Sequence, residues 1–126
     1  MEKNHKYTRR LSVRQGDIVI VNFGRTPESK SDEIRPSLVI SSDQILGSEK
    51  TLNIIPLFRQ PSRACRLEDI SLNQDDCKGL KYTMYVQVLY SRMVNAYQLM
   101  EVIGHVEDET LLNSILAEVV RTISRQ

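Results

Sequence analysis

Apolar positions along this chain come in short clusters separated by polar, turn-rich stretches, until about residue 110, where the spacing changes. Asp17 to Phe23 (DIVIVNF) follows Gly16 and is dense in β-branched residues, which predicts a buried strand. Gly24 to Glu33 is polar and carries glycine and proline, so a long loop is expected there. Pro36 to Ser42 predicts a second strand, and Asp43 to Lys50, with Gly47, a connection. Thr51 to Phe58 (TLNIIPLF) predicts a third strand, in which Pro56 points to an edge or a bulge. Residues 66–72 (RLEDISL) alternate as a half-buried strand should, and NQDDCKG then makes a turn. Tyr82 to Leu89 is a further strand and, after a short connection, Tyr97 to Ile103 the last one. Beyond it, Leu111, Leu112, Ile115, Leu116, Val119, Val120 and Ile123 form one stripe at helical spacing. Acids at 107–109 and the basic Arg121 and Arg125 suit the two ends of a helix dipole. Many short strands closed by one helix predict a mainly β domain: a small, strongly bent sheet or partly open barrel with the helix packed on it.

The length, 126 residues, fits one such domain. Aromatics are only 6% and tryptophan is absent, so leucine, isoleucine and valine must fill the core. The net charge of +1 rules out a polycation, but basic residues are concentrated locally. Lys3, Lys6, Arg9, Arg10 and Arg14 face a single acid, Glu2, which divides the chain into a basic arm over 1–14 and a domain over 15–126. No apolar run approaches the roughly 18 residues of a membrane span. The arm has no apolar segment of the kind a secretory signal needs, so no membrane is expected and the cytoplasm is. Cys65 and Cys77 read as two reduced thiols in that compartment. His5 and His105 have no neighbours at metal or catalytic spacing; no metal and no cofactor are expected.

Arg35 stands out because it precedes Pro36. A residue before proline is pushed to extended geometry, so Arg35 should be held at the mouth of the second strand with its head group in solvent. Its planar fork matches a phosphate. On these residues alone, a surface ion pair with Asp32 or Glu33 is the better account of it.

Three segments in order, RQGDIVIVNF, IRPSLVISSD and TLNIIPLF, resemble the MazF/PemK family of bacterial toxin endoribonucleases. The shared pattern is a Gly-Asp opening the first strand, a polar loop, Arg-Pro before an apolar strand, and a third strand beginning at a hydroxyl residue. The resemblance implies a small SH3-like barrel, usually a homodimer, and metal-independent cleavage of single-stranded RNA at short motifs. It implies catalysis by Arg35 and Thr51, with RNA contacts at Lys30, Ser42 and Gln98. It also implies a cognate antitoxin, with operator DNA bound through the toxin–antitoxin complex. Two departures are visible. The loop before Arg-Pro, PESKSDEI, lacks the family's glycines, and Met100 stands where an arginine is usual after Gln98. A gyrase-directed toxin of the same fold and a catalytically silent binding module are the alternatives.

Overall fold

A computed structural model describes residues 11–60 and 70–123. Among them, the elements in chain order are β1 (Asp17–Gly24), β2 (Glu33–Val39), β3 (Thr51–Phe58), β4 (Ile70–Leu72), β5 (Met84–Val86), β6 (Arg92–Asn95), β7 (Leu99–His105) and α1 (Glu109–Ile123). Single 3-10 turns at Val88–Tyr90 and Ala96–Gln98 lead into β6 and β7. The expected mainly β architecture with a closing helix is present. Residues 1–10 of the basic arm, with His5, and also Cys65 and Arg125 lie outside the described residues, as does the start of the strand expected over 66–72.

Every strand pairing is antiparallel, in the order β4-β5-β3-β2-β1-β7, with β6 also on β3. β3 shares one edge between two partners. Thr51 to Ile54 pair with β6, and Leu57 and Phe58 pair with β5. Pro56 falls in the gap between them, where a missing N–H leaves that edge's ladder intact. On the other edge the β2–β3 ladder runs from Val39↔Ile54 to Ser37↔Pro56 and stops as Pro36 arrives. β2 therefore starts at Glu33, earlier than expected. Arg35 and Pro36 lie inside the strand, opposite Val21 and Ile20, and not at its mouth.

The sheet is buried on both faces, which is why its strands read as continuous apolar runs. One face carries Ile18, Leu38, Ile55 and Leu57, packed with Leu72, Val86 and the helix residues Leu112 and Ile115. The other carries Val19, Val21, Val39, Leu52, Ile54, Val94 and Leu99. β6 pairs with β3 and the strand that follows it pairs with β1, so the sheet curls around this second core into a half-barrel.

Two contacts lock the closing strand. Asp17, 5% exposed, accepts from the Arg14 backbone N–H at 2.9 Å and meets His105 Nδ1 at 2.8 Å, across the β1–β7 pair those two residues form. The backbone of residues 77–79 lies directly on β7, and a Cβ at Gly104 would collide with the Lys78 carbonyl. In α1, the Asp108 side chain caps the Thr110 and Leu111 N–H groups. Leu112 and Ile115 are buried, but Val120 and Ile123 are 61% and 73% exposed, so the apolar stripe outlasts the surface that covers it.

Candidate nucleic-acid interface

Strand register decides which face each candidate side chain shares. Residues paired across an antiparallel ladder project to the same side. Arg35 is paired with Val21, and Arg92 with Ile54. Val21 and Ile54 both belong to the second core, so both arginines stand on its face. Phe58 follows Ile54 by four residues on the same strand and points the same way. Phe23 packs against that core from β1.

These residues engage one another. The Arg35 guanidinium lies over the Phe58 ring, 4.4 Å from its centroid, and Nη1 donates to the Leu57 carbonyl at 3.4 Å. Nε donates to Glu33 Oε2 at 3.1 Å. The side chain is 30% exposed, so its head group is stacked and bonded where solvation was expected, and the ion pair with Glu33 forms. Tyr90 continues the aromatic surface, with its ring centroid 5.6 Å from that of Phe58 at an interplanar angle of 55°. The Arg92 guanidinium lies 4.9 Å over the Phe23 ring. Among the described residues no carboxylate comes within ion-pair reach of Arg92.

The other sequence candidates are distributed elsewhere. Thr51 opens β3 opposite Asn95, whereas Arg35 reaches Leu57 and Phe58 at the strand's far end. Six residue steps at about 3.3 Å each put roughly 20 Å between them along the strand, so they do not meet on one phosphate within a protomer. Thr51 lines a cleft of about 340 Å³ with Leu11, Val13, Leu46 and Leu99, and no arginine or lysine lines it among the described residues. Gln98, expected to touch RNA, spends its amide internally. Its Oε1 accepts from the Asn95 N–H at 2.8 Å, and its Nε2 donates to the Asn22 carbonyl at 3.0 Å, tying the turn before β7 to β1. Lys30 is exposed in the loop before β2, where its carbonyl accepts from Arg25. Ser42 is exposed after β2, and its carbonyl caps the turn through Ile45 and Leu46. Met100, in the place of the usual arginine, is half exposed on β7.

Sequence reasoning missed Arg92, Phe58 and Phe23. Their signal is the strand register, which brings residues 23, 35, 58 and 92 to one face and has no local signature. Among the described residues, no three histidine, cysteine or acidic side chains converge as a metal-binding group. Burial pushes the Cys77 thiol up, reinforced by Glu107, Asp76 and Asp17 and opposed by a backbone hydrogen bond at His105.

The family model for PemK-like, MazF-like toxins of type II toxin–antitoxin systems matches residues 14–126. The chain belongs to that family. A search by sequence among curated proteins finds no match. Solved structures share the toxin's fold at low identity. A MazE–MazF structure from Deinococcus radiodurans is 16% identical, covers 92% of this toxin and 100% of its own chain, and superposes with a TM-score of 0.70. A mycobacterial endoribonuclease in complex with its cognate antitoxin is 14% identical over 86% and 93% of the two chains, with a TM-score of 0.64. The toxin MazF-mt6 of Mycobacterium tuberculosis is 15% identical over 84% and 93%, also at 0.64. The MazF-like fold of the toxin is thereby shown, half-barrel and C-terminal helix together.

Proposed function

We propose that this MazF-like toxin is an endoribonuclease that cuts single-stranded RNA, with Arg35 on the scissile phosphate. The observation that carries this reading is the placement of Arg35. Its guanidinium is fixed by the Phe58 ring and the Leu57 carbonyl, remains 30% exposed, and has on the same face a second arginine, Arg92, with no carboxylate partner among the described residues. Such a cation is set in place before charge develops, which is what stabilises a transition state. The ribose 2′-hydroxyl attacks the adjacent phosphorus, and its proton is lost as the new P–O bond forms. The P–O5′ bond breaks, and the departing oxygen takes up a proton. The products are a 2′,3′-cyclic phosphate and a 5′-hydroxyl, and no metal takes part. Thr51 stands too far along β3 to serve this phosphate in the same protomer.

The toxin acts in the cytoplasm as a homodimer, so that two half-barrels border one RNA path. A cognate antitoxin neutralises it with an acidic segment drawn to the arginine face, and the complex binds operator DNA. The Glu33–Arg35 pair favours a second reading, in which Arg35 is structural and the toxin acts by binding alone. Incubating the purified toxin with long single-stranded RNA in EDTA, and mapping fragment ends, separates them. Discrete 5′-hydroxyl ends are expected. Activity lost on chelation and restored by magnesium contradicts the mechanism, and no cleavage under either condition favours the binding reading.

A further inference from the structure

We propose that Arg92, Phe58 and Tyr90 form, beside Arg35, a binding platform for single-stranded RNA in which Arg92 holds a second phosphate and the two rings receive a base. The inference rests on the ribonuclease reading and extends it from one residue to a path for the strand.

Arg92 is exposed, stacked on Phe23 at 4.9 Å, and faces no carboxylate among the described residues. Stacking fixes the plane of the guanidinium while leaving its N–H edges free for an anion. Arg35 reaches Phe58, and Arg92 is paired with Ile54 four residues earlier on β3. That offset is about 13 Å along the strand, enough for the two cations to hold different phosphates. Between and beside them lie apolar ring surfaces. Tyr90 is 49% exposed and tilted against Phe58 at 55°, which leaves ring area open to a base. Alternating cations and exposed rings are how single strands are bound without reading a duplex.

A comparable stack serves as a control. Arg59 lies 3.8 Å over the Tyr82 ring. Arg59 is the residue after Phe58, and Tyr82 shares a cleft with Ile20 and Pro36, so this pair belongs to the opposite face of the sheet. Arg59→Ala removes the same charge from the wrong side.

The test is fluorescence anisotropy with a mixed-sequence 2′-O-methyl oligonucleotide, which carries no attacking hydroxyl and reports binding apart from cleavage. Arg92→Ala is expected to weaken binding about tenfold and to shrink the slope of log affinity against log salt by roughly 0.7, one phosphate contact on a single strand. Tyr90→Leu should weaken it about 5- to 100-fold, Tyr90→Phe should retain it, and Arg59→Ala should leave it within about twofold. Melting temperatures confirm that the variants fold. Unchanged affinity and salt slope in Arg92→Ala, or equal losses in Arg59→Ala, overturn the platform even if the wild-type toxin cleaves RNA. The losses as stated, in a toxin that never cleaves, support the platform and overturn only the catalytic reading. Variants that keep RNA affinity but lose affinity for a polyglutamate peptide assign the face to an acidic protein partner, and the platform falls.

Discussion

At the scale of single residues, the geometry of Arg35 sets two opposing demands. Phe58 and the Leu57 carbonyl hold the guanidinium in place, as the proposed phosphate contact requires, while Glu33 at 3.1 Å gives it a carboxylate that would compete. Glu33 is half exposed, so the pair itself is worth little to stability in water. A phosphate entering the site must displace that carboxylate. Glu33→Gln is therefore expected to tighten RNA binding by about two- to fivefold with little change in melting temperature; weaker binding by the same titration would show that the carboxylate helps. The proposed role of Arg35 as an anion-directed residue has its sequence signal in the arginine before proline. Its support is not, because Phe58 lies 23 positions away and meets it only through the pairing of β2 with β3. The same gap explains Thr51. A hydroxyl at the start of a strand looks close to a neighbouring strand's arginine in a linear pattern, but the antiparallel register sends the start of β3 to the end away from Arg35.

At the scale of elements, patterns carried by dense apolar clusters survive folding and patterns with one buried residue do not. β1 and β3 are found within a residue of their expected ranges, since both faces of each are buried. β6 was hidden in an expected connection because only Val94 of Arg92–Asn95 is buried. The strand expected over Tyr82–Leu89 shortens to Met84–Val86, because a 3-10 turn at Val88–Tyr90 redirects the chain into β6. The closing element β7 depends on the bare backbone at Gly104. Gly104→Ala should cost about 1–3 kcal/mol by driving a methyl group into the Lys78 carbonyl and the Cys77 sulfur, measurable by chemical denaturation. Wild-type stability in that variant would mean that the 77–79 segment is not seated on β7. Cys77, in the same seam, has its thiol raised by burial, so the fold favours the neutral form. That contribution is intact below the ordinary thiol range and is lost as pH rises through the raised value. Slow alkylation at pH 8 in the folded toxin, becoming fast in denaturant, is the expected result; equal rates would place the thiol in solvent.

At the scale of the whole molecule, the fold turns scattered residues into one surface. A sheet that pairs β6 with β3 and β7 with β1 must curl, and the curl sets Phe23, Arg35, Phe58 and Arg92 around the rim of one core. Among the described residues the helix packs on the other core and not on that rim. The central claim is that Arg35 acts on the phosphate. The measurement that tests it most directly is the single-turnover rate of RNA cleavage by Arg35→Ala, taken beside Arg35→Lys and Thr51→Ala with melting temperatures for all three. Arg35→Ala is expected to lose about 10²–10³ in rate, the range for removing one preorganised charge-stabilising donor. It should melt only a few degrees lower, since one cation–π contact and one hydrogen bond are lost. Arg35→Lys should recover part of the rate but lack the planar fork, and Thr51→Ala should stay within about threefold of wild type because it stands some 20 Å away along β3. A folded Arg35→Ala toxin that cleaves at the wild-type rate would contradict the account.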